Sequence, residues 1–186
     1  MMKLAFSTDY WKNLSWAEYV SLAKEMQFSG IEIHDIEESV FKAENAIFSD
    51  AVFAEARRLA NLGISIPCLD TVFNMANADL ADENLETLKS YLTAAKNVRA
   101  PFVRLYAKEL NGEPLDTIDD AVIAFLHKAL PLAEKAGVVL LIETAGVYAD
   151  TSRLEAEVGY KPSISLHEGI KCFIDWYKSD KNPLKD

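Results

Sequence analysis

Glu143, Asp70 and His34 are the residues of this chain whose types and positions could do chemistry together. Glu143 and Asp70 close short, largely apolar runs, residues 138–142 and 64–69, and His34 lies toward the end of an alternating run at 31–36. A carboxylate at the end of a buried strand can move a proton or ligate a cation, and an imidazole can do either. Arg104 and Tyr106 lie in a similar run, residues 102–106. A guanidinium there suits a phosphate or carboxylate, and the ring of Tyr106 or Trp11 could stack on a sugar. Each residue also has an ordinary role open to it. Glu143 could be the first solvated residue after a strand and His34 a hydrogen-bonded strand end. Asp70 could cap the turn before Val72, and Arg104 could pair with Glu32 or Glu143. Glu32 is a weaker candidate ligand. His127 lies inside a helical stretch and His167 in the first turn of another, both on solvated positions, and Cys68 and Cys172 read as reduced thiols.

The elements that would position these residues follow a regular pattern. The run 138–142 is apolar throughout, as in a strand buried on both faces of a parallel sheet covered by helices. Strand-like runs also occur at 3–7, 31–36, 64–70 and 102–106, each followed by a helical pattern. Ser15 and Glu18 have the spacing of a capping box, opening a helix with Tyr19, Val20, Ala23 and Met26 on one face and Gly30 after its end. Ser49 and Asp50 are placed to cap a second helix carrying Val52, Ala56, Leu59 and Ala60, closed by Gly63. Asp82 is placed to cap a third, with Leu85, Leu88, Leu92 and Ala95 inward. A fourth starts near Thr117, carries Val122, Phe125, Leu126 and Leu130, and ends at Gly137. Pro131 predicts a kink or restart within it, and Pro67 a bend or bulge in the third strand. Strands starting every 28 to 37 residues or so have the cadence of a (β/α) barrel. The fold expected is α/β: an incomplete TIM-type barrel of about five parallel strands over residues 1–149, then a helical tail at 150–186.

The tail has a different texture. A capped turn is read at 150–155, a turn at Gly159 to Pro162, and a second capping box at Ser165 and Glu168. An amphipathic helix follows, with Ile170, Phe173, Ile174 and Tyr177 along one side. No sixth strand is readable.

Half of the residues are apolar and 26% charged, within the range of a soluble globular protein. The net charge of −10 argues against a nucleic-acid backbone or an anionic membrane as partner. The amino terminus lacks the long apolar stretch of a signal peptide, so a cytoplasmic location is expected. An unclosed sheet would expose two edges and an inner face; Phe173, Ile174, Trp176 and Tyr177 of the tail could cover part of that face, or a second copy could fill the gap in a homodimer.

Residues Gly30-Ile31-Glu32-Ile33-His34, Asn61-Leu62-Gly63-Ile64, Phe102-Val103-Arg104-Leu105-Tyr106, Ala133-Glu134-Lys135-Ala136-Gly137 and Leu141-Ile142-Glu143-Thr144 together resemble the xylose isomerase-like barrel family of sugar phosphate isomerases and epimerases. The resemblance covers residues 3 to about 150. It implies a sugar or sugar phosphate substrate and a divalent metal (Mn, Mg or Zn), with Glu143 as metal ligand and proton-transferring base. His34 and Asp70 are the candidate further ligands, because the family draws its remaining ligands from later strands that are not readable here. Arg104, Tyr106, Trp11 and His34 are the candidate substrate contacts.

The tail, from Tyr148-Ala149-Asp150 through Gly159-Tyr160-Lys161-Pro162 to Phe173-Ile174-Asp175-Trp176-Tyr177, resembles the end of nucleotide-sugar epimerases of the extended short-chain dehydrogenase family. That family's glycine-rich dinucleotide turn and Tyr-x-x-x-Lys pair are missing, so no NAD is expected. Three readings follow: an isomerase or epimerase with an incomplete site, a non-catalytic barrel remnant or chimera acting as an assembly module, and an epimerase fragment.

Overall fold

The computed structural model describes residues 3–11, 14–34, 51–108, 112, 114–143 and 164–179. The chain falls into two compact units, Met1–Ala149 and Asp150–Asp186.

The first unit alternates strand and helix: β1 (Ala5–Ser7), α1 (Trp16–Glu25), β2 (Gly30–Glu32), α2 (Val52–Asn61), β3 (Cys68–Asn74), α3 (Ala81–Val98), β4 (Phe102–Tyr106), α4 (Leu115–Ala136) and β5 (Val139–Ile142). Every pairing among them is parallel. β1 pairs with β2, β4 lies between β3 and β5, and bridges from Gly30 to Ser65 and from Ile33 to Leu69 join the two groups. The architecture is the expected α/β one, with parallel strands in the manner of a TIM barrel.

Register sorts the strand residues onto two faces. Ile31, Ile33, Leu69, Val103 and Leu105 face the helices and are fully buried, against Tyr19, Ala23, Leu88, Tyr91, Ala95 and Phe125. Burial of each such aliphatic side chain stabilises the fold by about 1.5–3 kcal/mol relative to exposure. The other face carries Glu32, Asp70, Arg104 and Leu141, brought level by the pairs Asp70–Arg104 and Arg104–Leu141. Alternation along the strands therefore puts the polar residues on the face away from the helix layer.

Several sequence expectations shift. β3 begins at Cys68, so Pro67 lies just outside the ladder, and the irregularity falls later: the step from Asp70 to Asn74 opposes only that from Arg104 to Tyr106. β2 starts at Gly30, which is not a helix cap. The left-handed residue after α1 is Gln27 (φ 58°). A methyl group on Gly30 would lie 3.1 Å from Cβ of Ala5, 3.2 Å from Cδ of Pro67 and 3.3 Å from the Ser65 carbonyl oxygen, so a glycine lets three segments close together.

Asp82 sits in the first turn of α3 rather than at its cap, and α4 starts at Leu115. α4 runs unbroken through Pro131, which is exposed, so the carbonyl left without a partner faces water. Met26, Ala60 and Leu130 are exposed, not inward. β5 is not buried on both faces: Val139, Leu141 and Ile142 are 55%, 37% and 43% exposed. The reason is positional, since among the described residues β5 pairs only with β4.

The capping box at Ser15 and Glu18 forms, as does that at Ser165 and Glu168. The latter opens α5 (Leu166–Lys178), the described helix of the second unit, on which Ile170, Phe173 and Ile174 are exposed. The expected cap at Ser49 and Asp50, Asp35 and Ile36 of the second strand, and the turns at 150–155 and 159–162 lie outside the described residues.

Candidate functional site at the strand ends

One connected cluster, centred on Arg104 in the middle of β4, joins Asp70 within β3 to Glu32 and Glu143 at the carboxyl ends of β2 and β5. One guanidinium nitrogen, Nη2, donates to Glu32 Oε1 at 2.6 Å and to Asp70 Oδ2 at 2.5 Å. Its Nε lies 3.0 Å from Glu143 Oε2. Arg104 thus pairs with both of the partners weighed from sequence and with a third.

His34 reaches the same cluster from the end of β2, its Nδ1 3.8 Å from Asp70 Oδ2 and its Nε2 3.7 Å from Asp9 Oδ1. The buried hydroxyl of Thr8 accepts from the His34 amide at 3.0 Å and fixes where that residue leaves the strand. The Glu143 amide donates to the Leu105 carbonyl at 2.8 Å, extending the β4–β5 pairing to the residue that carries the carboxylate.

The loop after β4 is tied to β3. The Tyr106 hydroxyl donates to the Val72 carbonyl at 2.8 Å. Asn74 Oδ1 accepts from the Lys108 amide at 2.9 Å, and Asn74 Nδ2 donates to the Lys108 carbonyl at 2.9 Å. Lys108 Nζ then sits 4.8 Å from the centre of the Tyr106 ring. Val72, Tyr106 and Lys108 border an open cleft of about 580 Å³, lined also by Ser7, Asp9, Tyr10, Glu32, His34, Asp70 and Glu143.

The electrostatics follow from three carboxylates sharing one guanidinium. Burial pushes the Asp70 carboxyl above its usual pKa, against the bonds from Arg104. Burial and then the charge of Asp70 raise that of Glu32. For Arg104, burial alone would lower the pKa, but the hydrogen bond and charge of Asp70, then Glu32 and Glu143, outweigh it and keep the guanidinium protonated. Burial also raises the Tyr106 phenol. Cys68, behind Asp70 on the same face of β3, is pushed up to about 12, first by burial and then by the charge of Asp70.

Of the residues singled out from sequence, Glu143, Asp70, His34, Arg104 and Tyr106 all border the cleft. Trp11 does not. It packs edge-on against Phe6, ring centres 5.2 Å apart, and Tyr10 takes the place at the rim. His127 and His167 are exposed, Cys68 is buried and Cys172 exposed. Sequence reasoning underrated Glu32 and missed Asn74 and Thr8. Glu32 carries a visible signal, two residues before His34 and on its face of the strand. Asn74 carries none, because its role depends on the irregularity in β3.

The family model for the xylose isomerase-like TIM barrel matches residues 20–167. The chain belongs to that family. Among solved structures, this xylose isomerase-like chain is similar to the probable 3-DHS dehydratase AsbF of Bacillus anthracis, at 18% identity over 86% of this chain and 60% of that one, TM-score 0.64. It is similar to the IolI protein, whose structure binds a zinc atom, at 16% identity over 76% and 51%, TM-score 0.64. It is also similar to the 3-keto-D-glucoside 4-epimerase YcjR of E. coli, at 20% identity over 87% and 66%, TM-score 0.61. The chain thus spans about half to two-thirds of the length of these proteins. A curated relative, an uncharacterized protein of Methanocaldococcus jannaschii, is 43% identical over 37 residues, 20% of this chain and 11% of that one.

The zinc in one such structure raises the question whether the residues here fit a divalent metal. Among the described residues, the group of three potential ligands whose atoms lie within 4.8 Å of one another is Glu32, Cys68 and Asp70. The trio expected from sequence, Glu143, His34 and Asp70, does not gather in this way. Glu32, Asp70 and Glu143 all turn an oxygen to Arg104. As arranged, the donors do not fit a divalent metal, because a fixed cation already lies among them.

Proposed function

We propose that the chain provides a proton-transfer site of sugar isomerase or epimerase type, with Glu143 as the base. The observation that carries this reading is the Glu143 carboxylate at the end of β5, held 3.0 Å from Arg104 and open to a cleft large enough for a monosaccharide. Ionised Glu143 takes the proton from the carbon next to a substrate carbonyl, and the electron pair moves onto the carbonyl oxygen. Return of the proton to the neighbouring carbon, with the hydroxyl proton passing to the former carbonyl oxygen, isomerises the sugar, and protonation of the same carbon by a donor on its opposite face epimerises it. The positive charges of Arg104 and Lys108 favour the developing oxyanion and suit a sugar phosphate. His34, Arg104 and Tyr106 are the proposed substrate contacts.

Deuterium uptake from D2O at the carbon next to the carbonyl, followed by proton NMR over a panel of ketoses and aldoses, tests the reading. Glu143→Gln should abolish uptake. Absence of exchange across the panel, or exchange indifferent to Glu143→Gln, rejects it.

A second reading rests on the exposed apolar residues of β5, which suit an assembly module whose open edge pairs with another copy. Light scattering on the eluted protein separates the two, since a monomer active in exchange removes the need for a partner. We further propose that residues 1–149 are the partial barrel and 150–186 an epimerase-like tail joined to it, and that the protein acts in the cytoplasm. No described helix is long and apolar enough to cross a membrane.

A further inference from the structure

We infer that Arg104 is the resident cation of this site and closes it to divalent metals. The inference starts from the geometry of one side chain. Metal capture at a strand-end site requires several oxygen or nitrogen donors free to converge on one point. Here the carboxyls on three neighbouring strands each spend an oxygen on the same guanidinium, at 2.6, 2.5 and 3.0 Å.

Arg104 is anchored beside the three carboxyls by its backbone. Its backbone is locked in β4 between Asp70 and Leu141, and its carbonyl accepts from the Thr71 hydroxyl at 3.0 Å. Its charge is permanent at any ordinary pH, so no change of protonation frees the carboxylates. A divalent ion entering the cluster would meet a guanidinium hydrogen-bonded to Glu32 and Asp70 and ion-paired with Glu143, and would have to displace it from each carboxylate oxygen taken as a ligand.

The assignment changes what the site selects. A metal presents one point charge to vicinal oxygens. A guanidinium presents a planar fork, which favours a ligand with two acceptor oxygens in one plane, such as a carboxylate, an enediolate or a phosphate edge. It also deepens the proton-transfer reading, on which its catalytic meaning rests: the positive charge that holds Glu143 in place belongs to the chain itself.

Calorimetric titration of the full chain with MnCl2 alone tests it, because the readout is metal binding and not turnover. Wild-type protein should show no saturable Mn²⁺ uptake at the cluster. Arg104→Gln should gain saturable uptake at one site, and adding Glu143→Gln to that variant should lose it. Arg104→Lys, which keeps the charge, should stay closed to the metal and serves as the folded control.

Stoichiometric Mn²⁺ uptake by wild type that Glu143→Gln or Asp70→Asn abolishes overturns the inference, whether or not Arg104→Gln folds. So does a folded Arg104→Gln with no gain. Failure of deuterium exchange would reject the proton-transfer reading and leave the metal result standing, so the two can fail separately.

Discussion

Removing the base from the cluster should cost far more than removing an acid. Arg104→Gln leaves Glu32, Asp70 and Glu143 facing one another with no cation between them, whereas Asp70→Asn leaves one guanidinium between two carboxylates. At an effective dielectric of about 20, a pair of unit charges about 4 Å apart interacts by roughly 4 kcal/mol. Losing Arg104 deletes three such attractions and keeps every repulsion. Neutralising Asp70 deletes one attraction together with its repulsions toward Glu32 and Glu143, and also spares the burial of a charge that is only 5% exposed. The cleft is wet and the Arg104 side chain 31% exposed, so screening cuts these sums severely. The expected net losses are about 2 kcal/mol for Arg104→Gln and less than about 1 kcal/mol for Asp70→Asn. Urea denaturation at pH 7, with equal slopes confirming comparable transitions, reads the difference as a shift of about 1 M in midpoint for the first variant and a small one for the second. A midpoint for Asp70→Asn that falls as far as that of Arg104→Gln would refute the charge accounting.

Gly30→Ala should destabilise by about 1–2 kcal/mol, because crowding against Ala5, Pro67 and Ser65 outweighs the smaller unfolded-state gain, and a raised urea midpoint would contradict the packing. The folded-state pKa values of Glu32 and Asp70 are raised, so the native state binds more protons than the unfolded chain above about pH 4. Their contribution to stability is therefore full below the unfolded values and is lost as pH rises through the folded ones. Relative to Glu32→Gln/Asp70→Asn, wild type should gain midpoint as pH drops from 7 toward 5, and parallel curves would contradict this. Cys172 should react with a thiol reagent at pH 8 while Cys68, buried and pushed up to about 12, reacts only on unfolding. Equal rates for the two thiols in the native protein would contradict that assignment.

The features legible in the sequence are those written in local periodicity. β4 at Phe102–Tyr106, both serine capping boxes and the glycines closing α2 and α4 all depend on residues within a few positions of one another. Glu143, Asp70, His34, Arg104 and Tyr106 could be picked out because strand ends collect polar groups on one side of the sheet. What could not be read was how they share partners. The meeting of Arg104 with three acids is set by register between four strands, and register is invisible in any one of them. The same limit explains β5. An all-apolar run reads as buried, but exposure depends on which strands flank it, and in the described residues only β4 does. Nor could the edge-on contact of Trp11 with Phe6 be read, since it too joins two segments.

A crystal structure grown from Mn²⁺-containing solution, with anomalous scattering measured at the manganese edge, tests most directly whether a guanidinium rather than a metal organises the strand ends. Arg104 should bridge Glu32, Asp70 and Glu143 with no anomalous peak among them. A manganese peak bound by Glu143 and Asp70, with Arg104 turned out toward solvent, would contradict it.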